Sequence, residues 1–178
     1  MISLPSAGAP EAQPPRQVGQ TGTVRISVKV DYAVRAMVQL AAVSSEEPVK
    51  ADTVARAQDI PLKFLLGILS DLKRAHLLRS QRGAEGGYWL ARPAEEISLA
   101  DVIRAIDGPL ANVHDTSLAS LAYPGPAEGL REVWMAVRTS LRSVLEVVSL
   151  ADLAKGELPG RVQALAKEYE SDVRTYQA

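Results

Sequence analysis

Apolar residues recur at Leu62, Leu65, Leu69 and Leu72, with Phe64 and Ile68 widening the stripe, while Lys63, Asp71, Lys73 and Arg74 fall largely off it. That spacing predicts an amphipathic helix. Pro61 suits its first turn, where a missing N–H has no intrahelical partner to lose. The pattern then changes period. Leu77-Leu78-Arg79-Ser80 and Tyr88-Trp89-Leu90 read as short strands, joined by a turn between Gly83 and Gly87. A helix running into a basic, glycine-rich hairpin predicts a winged helix-turn-helix, an architecture suited to gripping a DNA duplex.

Upstream, a helix is expected over about residues 31–43, with Asp31 as N-cap and Ala33, Met37, Leu40 and Ala41 facing inward. Residues 44–49 read as a polar turn. A short helix beginning near Asp52 or Thr53 follows, with Val54 and Ala55 on its inner side. Gln58-Asp59-Ile60 supplies the turn that completes a helix-turn-helix at about 51–74, and the wing spans about 78–91. Ser98 looks like the N-cap of a fourth helix, stopped by Asp107-Gly108-Pro109.

Residues 110–129 read as a linker loop containing Tyr123-Pro-Gly-Pro, and 130–178 as dimerisation helices. The first of these, from 130 to about 150, places apolar residues at Leu130, Trp134, Val137, Leu141, Val144 and Val148. Intervals of 4, 3, 4, 3 and 4 make a heptad seam, which Val133 and Leu145 broaden. Such a seam is about 28 Å long at helical rise, too extended to leave in water, and it predicts a homodimer interface. A last helix is expected over about 161–176. No internal repeat or low-complexity block is read within the folded part of the chain. The fold class is therefore mainly α with a small β-hairpin wing: a winged helix-turn-helix, over 24–109, plus a long dimerisation helix.

Composition changes this picture in three ways. The 178 residues include no cysteine, which excludes disulfides and thiolate metal sites and removes the usual holders of an iron–sulfur cluster. No run is apolar enough to span a bilayer, and no charged segment leads into an apolar core at the N-terminus, so a cytoplasmic location without membrane contact is expected. Residues 1–23 are rich in Pro, Gly, Ala, Gln and Thr and are expected to be disordered.

Net charge is only −1, but it is segregated. Residues 24–92 hold eleven Lys/Arg against seven Asp/Glu, and residues 93–178 hold eight against thirteen. A net of +4 in the winged half suits a phosphate-binding face.

Four segments carry a more specific signal. They are Arg25-Ile-Ser-Val-Lys-Val-Asp-Tyr-Ala-Val-Arg-Ala-Met, Ile60-Pro-Leu-Lys-Phe-Leu with Ile68-Leu-Ser-Asp-Leu-Lys-Arg-Ala, Arg82-Gly-Ala-Glu-Gly-Gly-Tyr-Trp-Leu-Ala-Arg-Pro, and Ile97-Ser-Leu-Ala-Asp-Val-Ile-Arg-Ala-Ile-Asp-Gly-Pro-Leu. In that order, over roughly residues 25 to 155, the chain resembles the Rrf2 family of bacterial transcription regulators. The resemblance implies a DNA-binding homodimer, usually a repressor. Some members carry an iron–sulfur cluster, with cysteines where this chain has Pro109-Leu-Ala-Asn-Val-His-Asp-Thr-Ser. Without those cysteines no cofactor is expected, and neither cluster nor thiol sensing. Relatives also begin with Met where this chain has Val24, so residues 1–23 are expected to be dispensable.

Candidate DNA contacts follow from the architecture. Lys63 is placed for the major groove, and Leu66 and Gly67 occupy the next exposed turn, where related proteins often have Glu and Gln. Leu66 is suited to thymine methyls. Arg82, at the wing tip beside Gly83, Gly86 and Gly87, is suited to a narrow minor groove, although Glu85 opposes deep insertion. Arg25, Lys29, Tyr32 and Lys50 are candidate phosphate clamps, with a half-buried core position the alternative for Tyr32. His76 reads as a helix C-terminal residue and His114 as a loop residue. No arrangement of these groups suits enzymatic chemistry. The expected function is a sequence-specific transcription regulator, a homodimeric repressor of a partially palindromic operator on double-stranded DNA, triggered by a small-molecule or protein effector. A winged-helix module that binds protein is the alternative, and it calls for an acidic recognition face.

Overall fold

The computed structural model describes residues 26–43, 47–109 and 120–176, with side chains described to residue 171. The expectations for residues 1–23, Val24, Arg25 and His114 lie outside these residues, as does the first half of the expected linker loop, 110–119. The element order is α1 (Val28–Ala42), α2 (Ala51–Gln58), α3 (Leu62–Arg74), β1 (Leu78–Gln81), β2 (Gly87–Leu90), α4 (Leu99–Asp107), α5 (Leu130–Leu145), α6 (Leu150–Lys155) and α7 (Gly160–Tyr176). Single 3-10 turns occupy Ala94–Glu96 and Gly125–Ala127.

Helix α1 is the hub. Ala33, Ala36, Met37 and Leu40 are buried along it, and it packs against α2, α3, α4 and α6. Its start differs from the expected one. Ser27, not Asp31, is the N-cap, because the Ser27 hydroxyl accepts from the Val30 amide at 3.1 Å. Asp31 lies inside the first turn and pairs with Arg35 at 3.2 Å. Leu65, Ile68, Leu69 and Leu72 of α3 complete the core with Val54, Ile60, Leu77, Leu78, Ile97, Val102 and Leu150.

Both helices of the helix-turn-helix end in the same way. Asp59 (φ 50°) and His76 (φ 58°) take left-handed conformations after α2 and α3. The next amide then reaches back to the last turn, Ile60 to the Ala55 carbonyl at 2.9 Å and Leu77 to that of Leu72 at 3.0 Å. This is the Schellman arrangement, with Asp and His where glycine is usual. It seats Ile60 and Leu77 in the core and so sets the angle at which α3 and the wing leave the body.

The region expected to form one helix from 130 to about 150 is divided. α5 stops at Leu145, and Ser149 and Asp152 form a capping box that starts α6. The extended residue between them, Val148, is 2% exposed, so it leaves the expected dimer seam and joins the interior. Its carbonyl accepts from Leu99 at 2.8 Å, while the Ile97 carbonyl accepts from Leu150 at 2.9 Å. Ser98 and Ser149 thereby face one another across an antiparallel bridge. Each begins an identical tetrapeptide, Ser98-Leu-Ala-Asp101 and Ser149-Leu-Ala-Asp152, and each tetrapeptide makes its own capping box. A short internal repeat is therefore present after all. The expected boundary moves with it: residues 148–155 pack on α1 as part of the winged body, not with a separate dimerisation unit.

Candidate nucleic-acid interface

The wing is built by close backbone approach. β1 and β2 pair antiparallel, with Leu78 opposite Leu90 and Gln81 opposite Gly87. Val49, just before α2, adds a further rung: its amide donates to the Tyr88 carbonyl at 2.9 Å and its carbonyl accepts from Tyr88 at 2.8 Å. A Cβ on Gly87 would sit 2.5 Å from the Val49 oxygen, and one on Gly86 would sit 2.4 Å from the Gln81 oxygen. Both glycines are buried. They let three backbone segments close together, and both also line the groove beside α3. The wing is thus tied to the start of α2 as well as to the end of α3.

Between α3 and the wing runs a groove lined on one side by Lys50, Leu62, Leu66, Ser70 and Lys73. Ser80, Gln81, Arg82, Gly83 and Ala84 line the other side. The expected stripe on α3 is therefore two faces. Leu65, Ile68, Leu69 and Leu72 are buried, whereas Leu62 and Leu66 are 40% and 46% exposed along the groove. Phe64, also placed on the buried stripe from its spacing, is exposed and meets the edge of Tyr32 with ring centroids 5.7 Å apart. Leu62, Ser70 and Lys73 were not singled out as site residues. The signal was present, since 62, 66, 70 and 73 follow helical spacing, but their exposure depends on where the wing folds.

The remaining candidates sit around this groove. Lys63 is exposed at the N-terminal turn of α3, and Gly67, one turn on, has nothing within 4 Å of where its Cβ would be. The fold does not require a glycine there, and in a helix it costs roughly 0.5–1 kcal/mol relative to alanine. Arg82 is exposed at the wing tip and makes no ion pair among the described residues. Lys29, in contrast, is engaged: its ammonium lies 2.7 Å from Asp71, which Arg74 also contacts. The Lys29 hydrogen bond holds the Asp71 carboxyl below its usual range. This pair ties α1 to α3 and offsets part of the charge expected to clamp phosphate. Tyr32 is half-buried, packed against the core with the Arg35 guanidinium 5.4 Å from its ring centroid. His76 ends α3 through its backbone.

None of the sixteen residues of α5 is fully buried. Val133 and Val137 are 51% and 41% exposed, and with Leu141, Val144 and Leu165 of α7 they line an open apolar trench of about 680 Å³. The Trp134 indole N–H is buried without a partner.

Comparison with known proteins decides what this arrangement is. The model of Rrf2, described as an iron-dependent transcriptional regulator, matches residues 26–156. The chain belongs to the Rrf2 family. It is 55% identical over 152 residues to the helix-turn-helix transcriptional regulator Rv1287 of Mycobacterium tuberculosis, covering 85% of this chain and 94% of that protein. It is 33% identical over 131 residues to the regulator CymR of Bacillus subtilis, covering 74% and 90% respectively. The solved structure of CymR, titled the global cysteine regulator of that organism, superposes with a TM-score of 0.63 at 32% identity, covering 75% of this chain and 98% of CymR. That of IscR from T. potens gives 0.59, also at 32% identity, over 75% and 88%. The mainly helical winged helix-turn-helix with its two-stranded hairpin is that of these Rrf2 structures. The protein is a helix-turn-helix transcription regulator, not an enzyme, and no helix among the described residues is long and apolar enough to cross a membrane.

The residues present do not fit the iron–sulfur cluster that the family description brings to mind. No Cys stands anywhere in the sequence, and the described residues include no group of three or more His, Cys, Asp or Glu able to hold a metal ion.

Proposed function

We propose that this Rrf2 regulator acts without an iron–sulfur cluster, as a homodimeric repressor of a partially palindromic operator. The N-terminal half of α3 enters the major groove and the wing lies along the minor groove. The observation that carries this reading is the basic groove between α3 and the wing, with Lys50, Lys73 and Arg82 around an exposed Leu62–Leu66 edge. Leucines cannot hydrogen-bond base edges, but they complement thymine methyls, which only the major groove displays. The unoccupied space beside Gly67 supports close approach of the duplex to the same turn. Lys63 reaches into the major groove and Lys50 holds phosphate; Arg82, exposed beside a glycine turn and without an ion pair among the described residues, suits a narrow minor groove. For the dimer, support comes from α5, whose apolar face the other described elements leave partly exposed. The trigger is an effector, a small molecule or a partner protein.

Selection of bound fragments from random DNA tests the reading directly, with a palindromic enrichment expected. On the selected site, affinity should fall steeply with salt, and Arg82→Ala should cost about 1–3 kcal/mol. Deoxyuridine in place of thymidine removes only the methyl, so it should weaken wild-type binding and leave a Leu66→Ala variant indifferent. Absence of any enrichment at modest salt would overturn the operator reading. Enrichment with unchanged affinity of Arg82→Ala would overturn the wing's part in it.

A further inference from the structure

Where α4 meets α5, a cleft of about 170 Å³ is lined by Arg104, Arg138, Arg142 and Pro109. Three guanidinium groups share one small space, and the acids paired with them among the described residues do not balance the charge. Glu146 is contacted by both Arg104 and Arg142, the latter at 2.9 Å. Asp101 lies 3.4 Å from Arg104, but the same carboxylate also accepts from the Ser98 amide and stands 3.8 Å from Arg92. Arg92, Arg104 and Arg142 thus draw on two carboxylates. Arg138 is the one left over: it is half-buried and has no ion pair among the described residues.

Like charges gathered at the mouth of a cleft repel one another and raise the local concentration of counter-ions. Guanidinium is also the side chain best matched to oxyanions, since its planar fork donates two parallel hydrogen bonds to a carboxylate or phosphate. The cleft is smaller than the roughly 300–1,000 Å³ usual for drug-sized ligands, so it suits a compact anionic group rather than a nucleotide. The two carboxylates are already engaged by arginines, which leaves Arg138 as the principal unspent donor.

We propose that this cleft binds a small oxyanion ligand, a phosphate group or a compact dicarboxylate, gripped between Arg104 of α4 and Arg138 and Arg142 of α5. Because α4 belongs to the winged body while α5 makes few contacts with it, such a ligand clamps the joint between the two. In the homodimer proposed above, that joint sets how the two winged bodies are held apart. Only this last consequence rests on the dimer reading; binding itself does not.

Calorimetric titration of the full chain in Tris chloride, with inorganic phosphate in one series and succinate in another, tests the site without any DNA. Saturable binding at one site per chain is expected. Saturation by phosphate alone assigns the site to phosphate compounds, and saturation by succinate alone assigns it to dicarboxylates. Arg138→Gln should weaken binding at least tenfold and Arg138→Lys less. Lys155→Gln, which removes a cation paired with Glu95 elsewhere, should leave it unchanged. Ligand-free thermal unfolding of these variants should match wild type, which separates a lost site from a lost fold. The inference is overturned by no saturable heat from either probe at millimolar concentration, or by undiminished binding in Arg138→Gln. Loss of binding in Arg82→Gln instead would also overturn it, since that would place the anion on the wing.

Discussion

Helices α3 and α5 are amphipathic to a similar degree and similar in length, thirteen and sixteen residues, yet they meet opposite surroundings. α3 buries Leu65, Ile68, Leu69 and Leu72 in its own chain, whereas α5 buries nothing fully. An apolar stripe states only that a face must leave water; it does not say against what. For α3 the answer is α1, α2, α4 and β1, which leave its other face open along the groove. For α5 the described residues offer Arg161 and Leu165 of α7 and a narrow contact with α4, and the partner proposed above is a second copy of the chain.

The largest effects should separate these two helices. Leu69→Ala is expected to destabilise the fold by about 2–5 kcal/mol, the usual cost of a buried leucine truncated to alanine, with dimer formation affected only through unfolding. Leu141→Glu should do the reverse: the winged body keeps its secondary structure while sedimentation reports monomers or the protein becomes insoluble. A wild-type chain that sediments as a stable folded monomer would end the comparison, since α5 would then be apolar for some other reason.

A smaller effect should show that the exposed face of α3 is kept for a ligand. Gly67→Ala adds a methyl where the structure has room, so chemical denaturation should show a gain of about 0.5–1 kcal/mol. The same variant should bind selected operator DNA more weakly, because the added methyl occupies the space left for the duplex. A gain in stability with unchanged DNA affinity would mean that the glycine has no part in binding.

The smallest effect concerns how α3 is anchored. Lys29 holds the Asp71 carboxyl below its usual value of 3.8. A lowered carboxyl pKa stabilises the fold above the unfolded-state value, and that contribution disappears as pH falls from there through the folded-state value. Urea titrations at a series of pH values should therefore show wild-type stability dropping more steeply below pH 3.8 than that of Asp71→Asn. At neutral pH the difference should be on the order of 0.2–1 kcal/mol for so exposed a pair. Parallel curves for the two proteins would show that the contact contributes nothing in solution.

Much of the winged body was legible because its elements announce themselves locally. Period and breakers gave α3, the hairpin strands and the Ser98 cap almost to the residue. The identical tetrapeptides at Ser98 and Ser149 could also have been read, and they would have stopped the predicted 130–150 helix early. Their pairing could not, because it joins backbone groups about fifty positions apart. Lys29 and Gly87 show the same limit at the interface: a lysine looks free until Asp71 arrives beside it, and a glycine looks like a flexible hinge until Val49 is pressed against it.

The sequence by itself determined the family, the absence of thiolate ligands, the segregation of basic charge to the winged half and the periods of the helices. These are properties of residue type and local spacing, which no neighbour can change. Only the tertiary structure decided which face of each amphipathic helix is covered, that Val148 turns inward while Leu62 and Phe64 stay outside, and that Arg138 stands among arginines with no acid of its own among the described residues. Burial and charge balance arise from groups far apart in the chain, and they exist only once the fold has brought those groups together.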